Sequence, residues 1–341
     1  MSHATVVHLP RAWFIVCAAR ALRQRPLAVK LQGEPLVLFR GKDGAPVAFV
    51  DRCPHRNVPL SLGRVEQGTL RCGYHGWRFD SAGACVELPG LQAEPGARSR
   101  CATTHATREL DGFVWVWASA GEVPDSEPFR FPLLGTAGYS TVRQQLFARS
   151  TLHAALENTL DVPHTAYLHG GFFRSAREPH DIDVVVRRSA GLVEAEFIGE
   201  PRPSGLVGKL LAPGGGVVQH FDRFLMPSIA QVEYRIGAES HLLVTSAMTP
   251  VSDWETAIHA VVTFRMPVPA WLVKPFVTPV ARYIFRQDAR LLARQTDALR
   301  HFGTERYAST EIDVVGPAIL RMLRGAPAAE GVSETRLKLR I

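Results

Sequence analysis

Four residues in the first quarter of the chain offer metal-binding side chains at short intervals. Cys53 and His55 are separated by one residue, Cys72 and His75 by two, and sixteen residues lie between the pairs. Thiolates hold the iron of iron–sulfur clusters, and two imidazoles in place of two thiolates leave the iron they bind less negative and raise its potential. Zinc accepts the same four donors tetrahedrally, but zinc modules usually open on two cysteines two to four residues apart, a spacing this segment lacks. A second group lies in LENTLDVPHTAYLHGGFF, which carries Glu157, Asn158, Asp161, His164 and His169. Two neutral imidazoles and one carboxylate on one side of a metal, with the other positions open, form a donor set used for non-heme Fe(II) and oxygen chemistry.

Spacing limits how the second group can act. On one helix Glu157, Asp161 and His164 would share a face, being four and three residues apart. His169 lies five residues beyond His164, so both imidazoles reach one metal only if the helix bends or ends between them; Pro163 and the pair Gly170 and Gly171 supply breaking residues. The missing carboxylate is expected in IFRQDARLLARQTDALRHF. There the apolar stripe at helical spacing, Ile284, Leu291, Leu292 and Leu299, also contains Asp288 and Gln295. Asp288 is the expected third ligand, since Asp297 falls on the opposite, hydrated side. Glu157 and Asn158 read as hydrogen-bonding neighbours of the ligands, Asn158 in a supporting role.

The elements that must position these residues change character along the chain. From Phe14 to about Ala118 short β-rich runs alternate with turns: LAVKL, PLVLFR, GKDG, PVAFVD, WRFD, SAG, ACVEL and FVWVWA. The proline-rich and acidic stretch GEVPDSEPFRFP reads as a connector. Beyond it a helix is expected over Leu152 to Leu168, strands at DIDVVVRR, HLLVTSAMTP and AIHAVVTFRM, and a helix from about Ala281 to Phe302. The expected division is an all-β domain over 1–120, a connector over 121–132 and an α+β domain over 133–341.

The 341-residue chain is 46% hydrophobic and 21% charged, the composition of a packed globular protein with room for two domains. Its start lacks the pattern of a signal peptide, and no apolar run reaches the roughly 18 to 20 residues of a membrane-spanning helix, so a cytoplasmic location is expected. In that compartment the five cysteines are thiols or metal ligands. Cys17, Cys85 and Cys101, outside the motif, read as structural thiols. A formal charge of +7 is spread among scattered arginines, which gives no case for nucleic acid.

With Gly73, Tyr74, Gly76 and Trp77 in the second loop, the C-x-H and C-x-x-H pairs resemble the motif of the Rieske family. The run N-x-x-D-x-x-H-x-x-x-x-H from Asn158 to His169, followed much later by Asp288, resembles the catalytic domain of Rieske non-heme iron oxygenases, in the style of the vanillate, dicamba and pheophorbide a group. The resemblance implies an N-terminal all-β Rieske [2Fe-2S] domain and a C-terminal α+β domain, a helix-grip-like antiparallel sheet with helices. It implies that Cys53 and Cys72 hold one cluster iron and His55 and His75 the other, and that His164, His169 and Asp288 hold a mononuclear Fe(II). By the same resemblance Asp161 links His164 to His75 of a neighbouring subunit, in a ring of three. O2 is the co-substrate, and electrons come from NAD(P)H through a separate reductase, with or without a ferredoxin; the chain itself carries no G-x-G-x-x-G fingerprint.

The implied reaction is hydroxylation or oxidative demethylation, monooxygenation before dihydroxylation, on a hydrophobic, ring-containing substrate: an aromatic ether, a sterol-like polycycle or another lipid. Phe172, Phe173 and the stretch VPAWLVKPFVTPVARYIF are candidate pocket residues or plain core. Two other classes stay open. A Rieske electron-transfer protein would leave the second constellation unexplained, and a lipid-binding protein with a structural metal site would not need two histidines and an acid arranged for iron.

Overall fold

A computed structural model describes residues 7–90, 98–169, 180–201, 216–267, 269–303, 306–326 and 331–340. The chain divides into two compact units, one of His8–Arg130 with Thr249–Ser252, the other of Met1–Val7, Phe131–Met248 and Asp253–Ile341.

The described residues of the first unit form three small sheets. Trp13–Ala18 and Thr107–Leu110 flank Phe113–Trp117; Leu27–Leu31, Glu34–Arg40, Pro46–Val50 and Thr104–His105 form a second sheet; Arg64–Glu66, Thr69–Arg71, Arg78–Phe79 and Cys85–Glu87 form the third. The uninterrupted apolar run of Glu34–Arg40 has a simple cause. Leu36 and Leu38 enter one core with Phe14 and Val114, whereas Val37 and Phe39 enter another with Phe49, Leu70 and Phe79, so both faces of the strand are covered. That second core also contains Cys53 and Cys72.

The second unit is organised on an eight-stranded sheet. Its spatial order is Ser140–Ala148, Glu255–Arg265, Ser240–Ser252, Ile229–Ile236, Val218–Leu225, Leu192–Ile198, Asp181–Ser189 and Ser333–Arg340. The six central strands follow one another as a meander, which needs only short-range pairings between consecutive strands. Among the described residues four α-helices accompany the sheet: α1 (Leu152–Leu160), α2 (His164–Leu168), α3 (Ala270–Phe302) and α4 (Gly316–Leu323).

Two helix boundaries differ from the sequence expectation. The stretch expected as one helix over Leu152 to Leu168 is two, with Asp161 in extended backbone at the end of α1 and Pro163 opening α2. The break falls beside Pro163, which has no N–H to continue the helical hydrogen bonding of α1. Helix α3 begins at Ala270 and not near Ala281, running through Pro275 and Pro279. Both prolines face solvent, where water can satisfy the carbonyls that lose their N–H partners.

The sheet also buries a charged cluster. His220 donates through Nδ1 to Glu200 at 2.6 Å and through Nε2 to Asp222 at 3.0 Å. Its imidazole is sandwiched between its two cross-strand neighbours, Phe197 at 4.6 Å and Tyr234 at 4.1 Å between ring centroids. Burial opposes the imidazolium, but the two carboxylates outweigh it and raise the His220 pKa from 6.5 to about 9. A raised folded-state value means that the stabilisation is complete below the unfolded pKa and is lost as pH rises through the folded one. The thermal midpoint is therefore expected to fall by a few degrees between pH 6.5 and about 9. In an E200Q/D222N variant scanned over the same range this slope should largely disappear; an unchanged slope would assign it to other groups.

Candidate metal centres

The two cysteine–histidine loops are folded as copies of one turn. In the first, Cys53 N–H donates to Val58 C=O at 2.9 Å and Asn57 N–H to Cys53 C=O at 2.9 Å. In the second, Cys72 N–H donates to Trp77 C=O at 2.8 Å and Gly76 N–H to Cys72 C=O at 3.2 Å. The equivalent residues Asn57 and Gly76 both sit at positive φ, 60° and 75°, a conformation that Gly and Asn adopt more easily than other residues. Asp51 braces the first loop by accepting from the Ser61 N–H at 2.7 Å and the Ser61 hydroxyl at 2.6 Å.

These turns sort the four side chains by depth. Cys53 and Cys72 are buried in the core, while His55 is half-buried and His75 exposed at the tip. The two imidazoles lie 4.5 Å apart between ring centroids, and His55 stacks on Trp77 at 4.6 Å with 6° between the planes. Burial pushes the Cys53 thiol up to about 11, with the neighbouring Cys72 adding to the rise. A thiol so placed ionises at neutral pH only when a cation takes the proton's place, which is the condition a thiolate-bound iron supplies. Nδ1 of His55 is buried with no hydrogen-bond partner, as suits a nitrogen that serves a metal. Cys17 and Cys85 are buried and Cys101 half-buried, and no cysteine is in a disulfide.

In the second unit His164, His169 and Asp288 each offer a donor atom, all within 4.8 Å of one another. The break at Pro163 starts α2 on His164, and α2 ends at Leu168, so His169 leaves the helical path as its cap, with φ −113°. The rings stand 5.3 Å apart at 74°. Asp288, from the middle of α3, places Oδ1 2.9 Å from Nε2 of His169 and 3.6 Å from Nε2 of His164. Yet Oδ1 is buried without a hydrogen bond of acceptable geometry. Three converging atoms of this kind, one of them orphaned, fit a bound divalent cation.

Each imidazole also turns Nδ1 toward an oxygen: His164 toward Asp161 at 3.5 Å, and His169 toward Gln287 Oε1 at 2.9 Å. A proton on Nδ1 leaves the Nε2 lone pair for the metal. Burial opposes a charge on His164, but Asp161 and Asp288 outweigh it and raise its pKa to about 9, marking a cradle that favours positive charge.

A cavity of about 390 Å³ adjoins His164 and Asp161, and Glu157, Asn158, Leu291 and Tyr307 line it. Burial, reinforced by Asp161 and Asp313, raises the Glu157 carboxyl to about 7. The carboxylate packs so closely on Gly316 that a Cβ there would lie 2.0 Å from Glu157 Oε1. Asp297 is paired with Arg149 outside the donor group, while Gln295 lines the cavity. Phe172 and Phe173 lie outside the described residues. Of the apolar stretch before Asp288, Trp271, Leu272 and Tyr283 are exposed.

Gln287 was absent from the residues that spacing singled out. It precedes Asp288 on α3, and nothing in a helical repeat shows that this neighbour reaches back to His169.

Known families match both halves of the chain: the Rieske [2Fe-2S] domain over residues 12–105 and the vanillate O-demethylase oxygenase C-terminal domain over 149–329. The dicamba O-demethylase oxygenase component of Stenotrophomonas maltophilia is 27% identical over 308 residues, 86% of this chain and 77% of that protein. The putative toluene-4-sulfonate monooxygenase system iron-sulfur subunit TsaM2 of Comamonas testosteroni is 34% identical over 158 residues. That match covers 46% of this chain and 45% of the relative, so the chain spans less than half of its length. Among solved structures, dicamba monooxygenase bound to dicamba superposes with a TM-score of 0.79 at 22% identity, covering 94% of this chain and 98% of that one. NdmA of Pseudomonas putida CBB5 with caffeine gives 0.74 at 24% identity, covering 92% and 90%. These likenesses establish the fold.

If Gln287 orients His169, Gln287→Leu should weaken metal binding at the His–His–Asp group by ~10–100-fold while leaving the cluster spectrum intact. Titration of Fe(II) into metal-depleted protein measures this, and wild-type affinity in the variant would remove Gln287 from the account.

Proposed function

This chain belongs to the Rieske-type non-heme iron oxygenases whose catalytic half is the vanillate O-demethylase oxygenase C-terminal domain, and from that premise we propose that it is a terminal oxygenase. It uses O2 and electrons from NAD(P)H to hydroxylate or oxidatively demethylate a hydrophobic, ring-containing molecule. The observation that carries the reading is the convergence of His164, His169 and Asp288 within 4.8 Å in a chain that also presents a paired Cys–His loop. A Rieske electron carrier has no use for the former, and a lipid container has no use for either.

Under this reading residues 1–120 form the cluster domain, 121–132 the connector and 133–341 the catalytic domain. Cys53 and Cys72 hold the inner iron of the [2Fe-2S] cluster and His55 and His75 the outer one. His164, His169 and Asp288 hold the mononuclear Fe(II). Bound iron supplies dioxygen activation, and the cluster supplies electrons singly.

The residues of the chain do the positioning. Gln287 fixes His169 through Nδ1, and Asp161 faces Nδ1 of His164 across 3.5 Å without closing a hydrogen bond, so that Nε2 of each ring faces the donor group. The exposure of His75 suits the entry and exit of electrons at the loop tip, while burial of the sulfurs keeps that end dry. Asp161, 37% exposed beside His164, is free on one side to meet a second group. We assign that group as His75 of a neighbouring subunit in a homotrimer, with Asp161 as the bridge for electrons and Asn158 in support. The electron donor is a separate reductase, with or without a ferredoxin, and neither nucleic acid nor a membrane span takes part. Among the described residues no helix is long and apolar enough to cross a membrane. The cytoplasm, where thiols stay reduced, is the proposed location.

Metal analysis tests the assignment directly. Three irons per chain are expected, against two for an electron carrier and zinc for a zinc module, and either of the latter would end the oxygenase reading. His75→Cys should alter the electron paramagnetic resonance of the reduced cluster but spare mononuclear iron.

The bridge has its own test. Asp161→Asn should keep the fold and cluster yet slow turnover ~10–100-fold. Mixing His75→Ala with His164→Ala subunits, each inactive alone, should restore activity once subunits exchange, because some interfaces then pair an intact cluster with an intact iron site. Persistent inactivity despite proven exchange would place electron transfer within one chain.

A further inference from the structure

We propose that the outer face of α3 is a docking surface for an anionic phospholipid bilayer. The proposal stands on charge and exposure, and it does not depend on the oxygenase reading. Helix α3 contains six basic residues and two acidic ones, a net of four positive charges where the whole chain has +7. Its two acids are engaged elsewhere, Asp288 with the histidines and Asp297 with Arg149. Arg282, Arg286, Arg290 and Arg294 follow at intervals of four residues, all exposed. None of the four has an ion pair, hydrogen bond or ring contact among the described residues.

At 3.6 residues per turn these arginines lie within about 60° of the direction opposite Asp288 and extend over ~18 Å of helix. Like charges four residues apart disfavour a helix, so the ridge is a local cost that a partner of opposite charge would relieve. The same outward side carries apolar surface toward the start of the helix. Trp271 is 72% exposed, Leu272 45% and Tyr283 51%. Arginine beside exposed tryptophan, tyrosine and leucine is the side-chain chemistry of a helix lying in a headgroup layer. An acidic protein could also neutralise arginines. Four charges along a convex ridge, however, meet a flat surface without the groove that a protein partner would need, and the exposed apolar residues find acyl chains at the same depth.

Full-length protein with its iron loaded would be sedimented with vesicles of phosphatidylcholine alone or mixed with phosphatidylglycerol. At about 0.1 M salt, binding to the anionic vesicles should exceed binding to neutral ones at least tenfold, and raising the salt to about 0.5 M should abolish most of the difference. R282E/R294E should reduce anionic binding at least ~30-fold, from the loss of two arginines near a charged surface. Trp271→Ser should weaken binding with the charge unchanged. Cluster absorption and thermal midpoint report folding of each variant, and R282Q/R294Q replaces the charge reversal if that does not fold. Equal binding to both vesicle types, or undiminished binding by the folded arginine variants, overturns the proposal. So does a protein that ignores vesicles but needs more reductase for half-maximal turnover once the arginines are changed; that result would give the ridge to an acidic protein.

Discussion

The architecture of the second unit answers to one requirement, that a carboxylate from the middle of a long helix meet two imidazoles from the short one and its cap. Asp288 is 15% exposed and points a hydrogen-bond-orphaned oxygen at His169 and His164. An acid in such a place is costly unless a positive charge stands beside it, whether a proton on His164 or a metal ion. Everything that holds α2 against α3 therefore also holds the site. Thr151 caps α1 by accepting from Ala154 N–H at 3.2 Å, and α1 buries Leu152, Ala155, Leu156 and Leu160. The chain then breaks at Pro163, so that the next helix opens on His164 and ends one residue before His169.

The cluster loops meet a different demand. A mononuclear site needs open positions for reactants, whereas a cluster needs thiolates kept from water and a conductive edge near the surface. The duplicated turn meets it by making Cys53 and Cys72 part of a hydrophobic core while the histidines project outward. The stack of His55 on Trp77 adds a fixed orientation to a side chain that is only half-buried. Turn geometry, more than strand packing, decides the arrangement, which explains why strands of two or three residues suffice in that sheet.

Much of this was legible in the sequence because it rests on local rules. The C-x-H and C-x-x-H pairs, the β-rich runs and the placement of Asp288 on an inward stripe are matters of spacing and residue type. The kinship of Asn57 with Gly76 was present but silent, since it appears only when both turns are folded. Proline lies at both boundaries that differ: the expected helix over Leu152 to Leu168 contains Pro163, and the expected start near Ala281 leaves out Pro275 and Pro279. The helical path is interrupted before Pro163, whereas α3 continues through Pro275 and Pro279, which are exposed so that water can reach the carbonyls left without an N–H partner. Gln287 was invisible for another reason. Its role is fixed by the approach of α2 to α3, a long-range contact that no periodicity encodes.

The His220 cluster and the His164–His169–Asp288 group both join histidine to carboxylate, and their difference shows how a binding site is told from a structural ion pair. In the His220 cluster each nitrogen has its own carboxylate, at 2.6 and 3.0 Å, and aromatic rings cover both faces. The valences are spent, and the imidazole sits at the centre with its partners outside. Around Asp288 the order is inverted: the Nε2 atoms and the carboxylate oxygen turn toward one another, while Nδ1 of each ring looks outward to Asp161 or Gln287. Donor atoms that face a common point without satisfying each other gain by sharing a cation; donor atoms already paired do not. Composition alone treats the two clusters alike, since both hold histidine and acid within a few ångströms. The direction in which the lone pairs point separates them, and that direction is set by Pro163 in one case and by cross-strand register in the other.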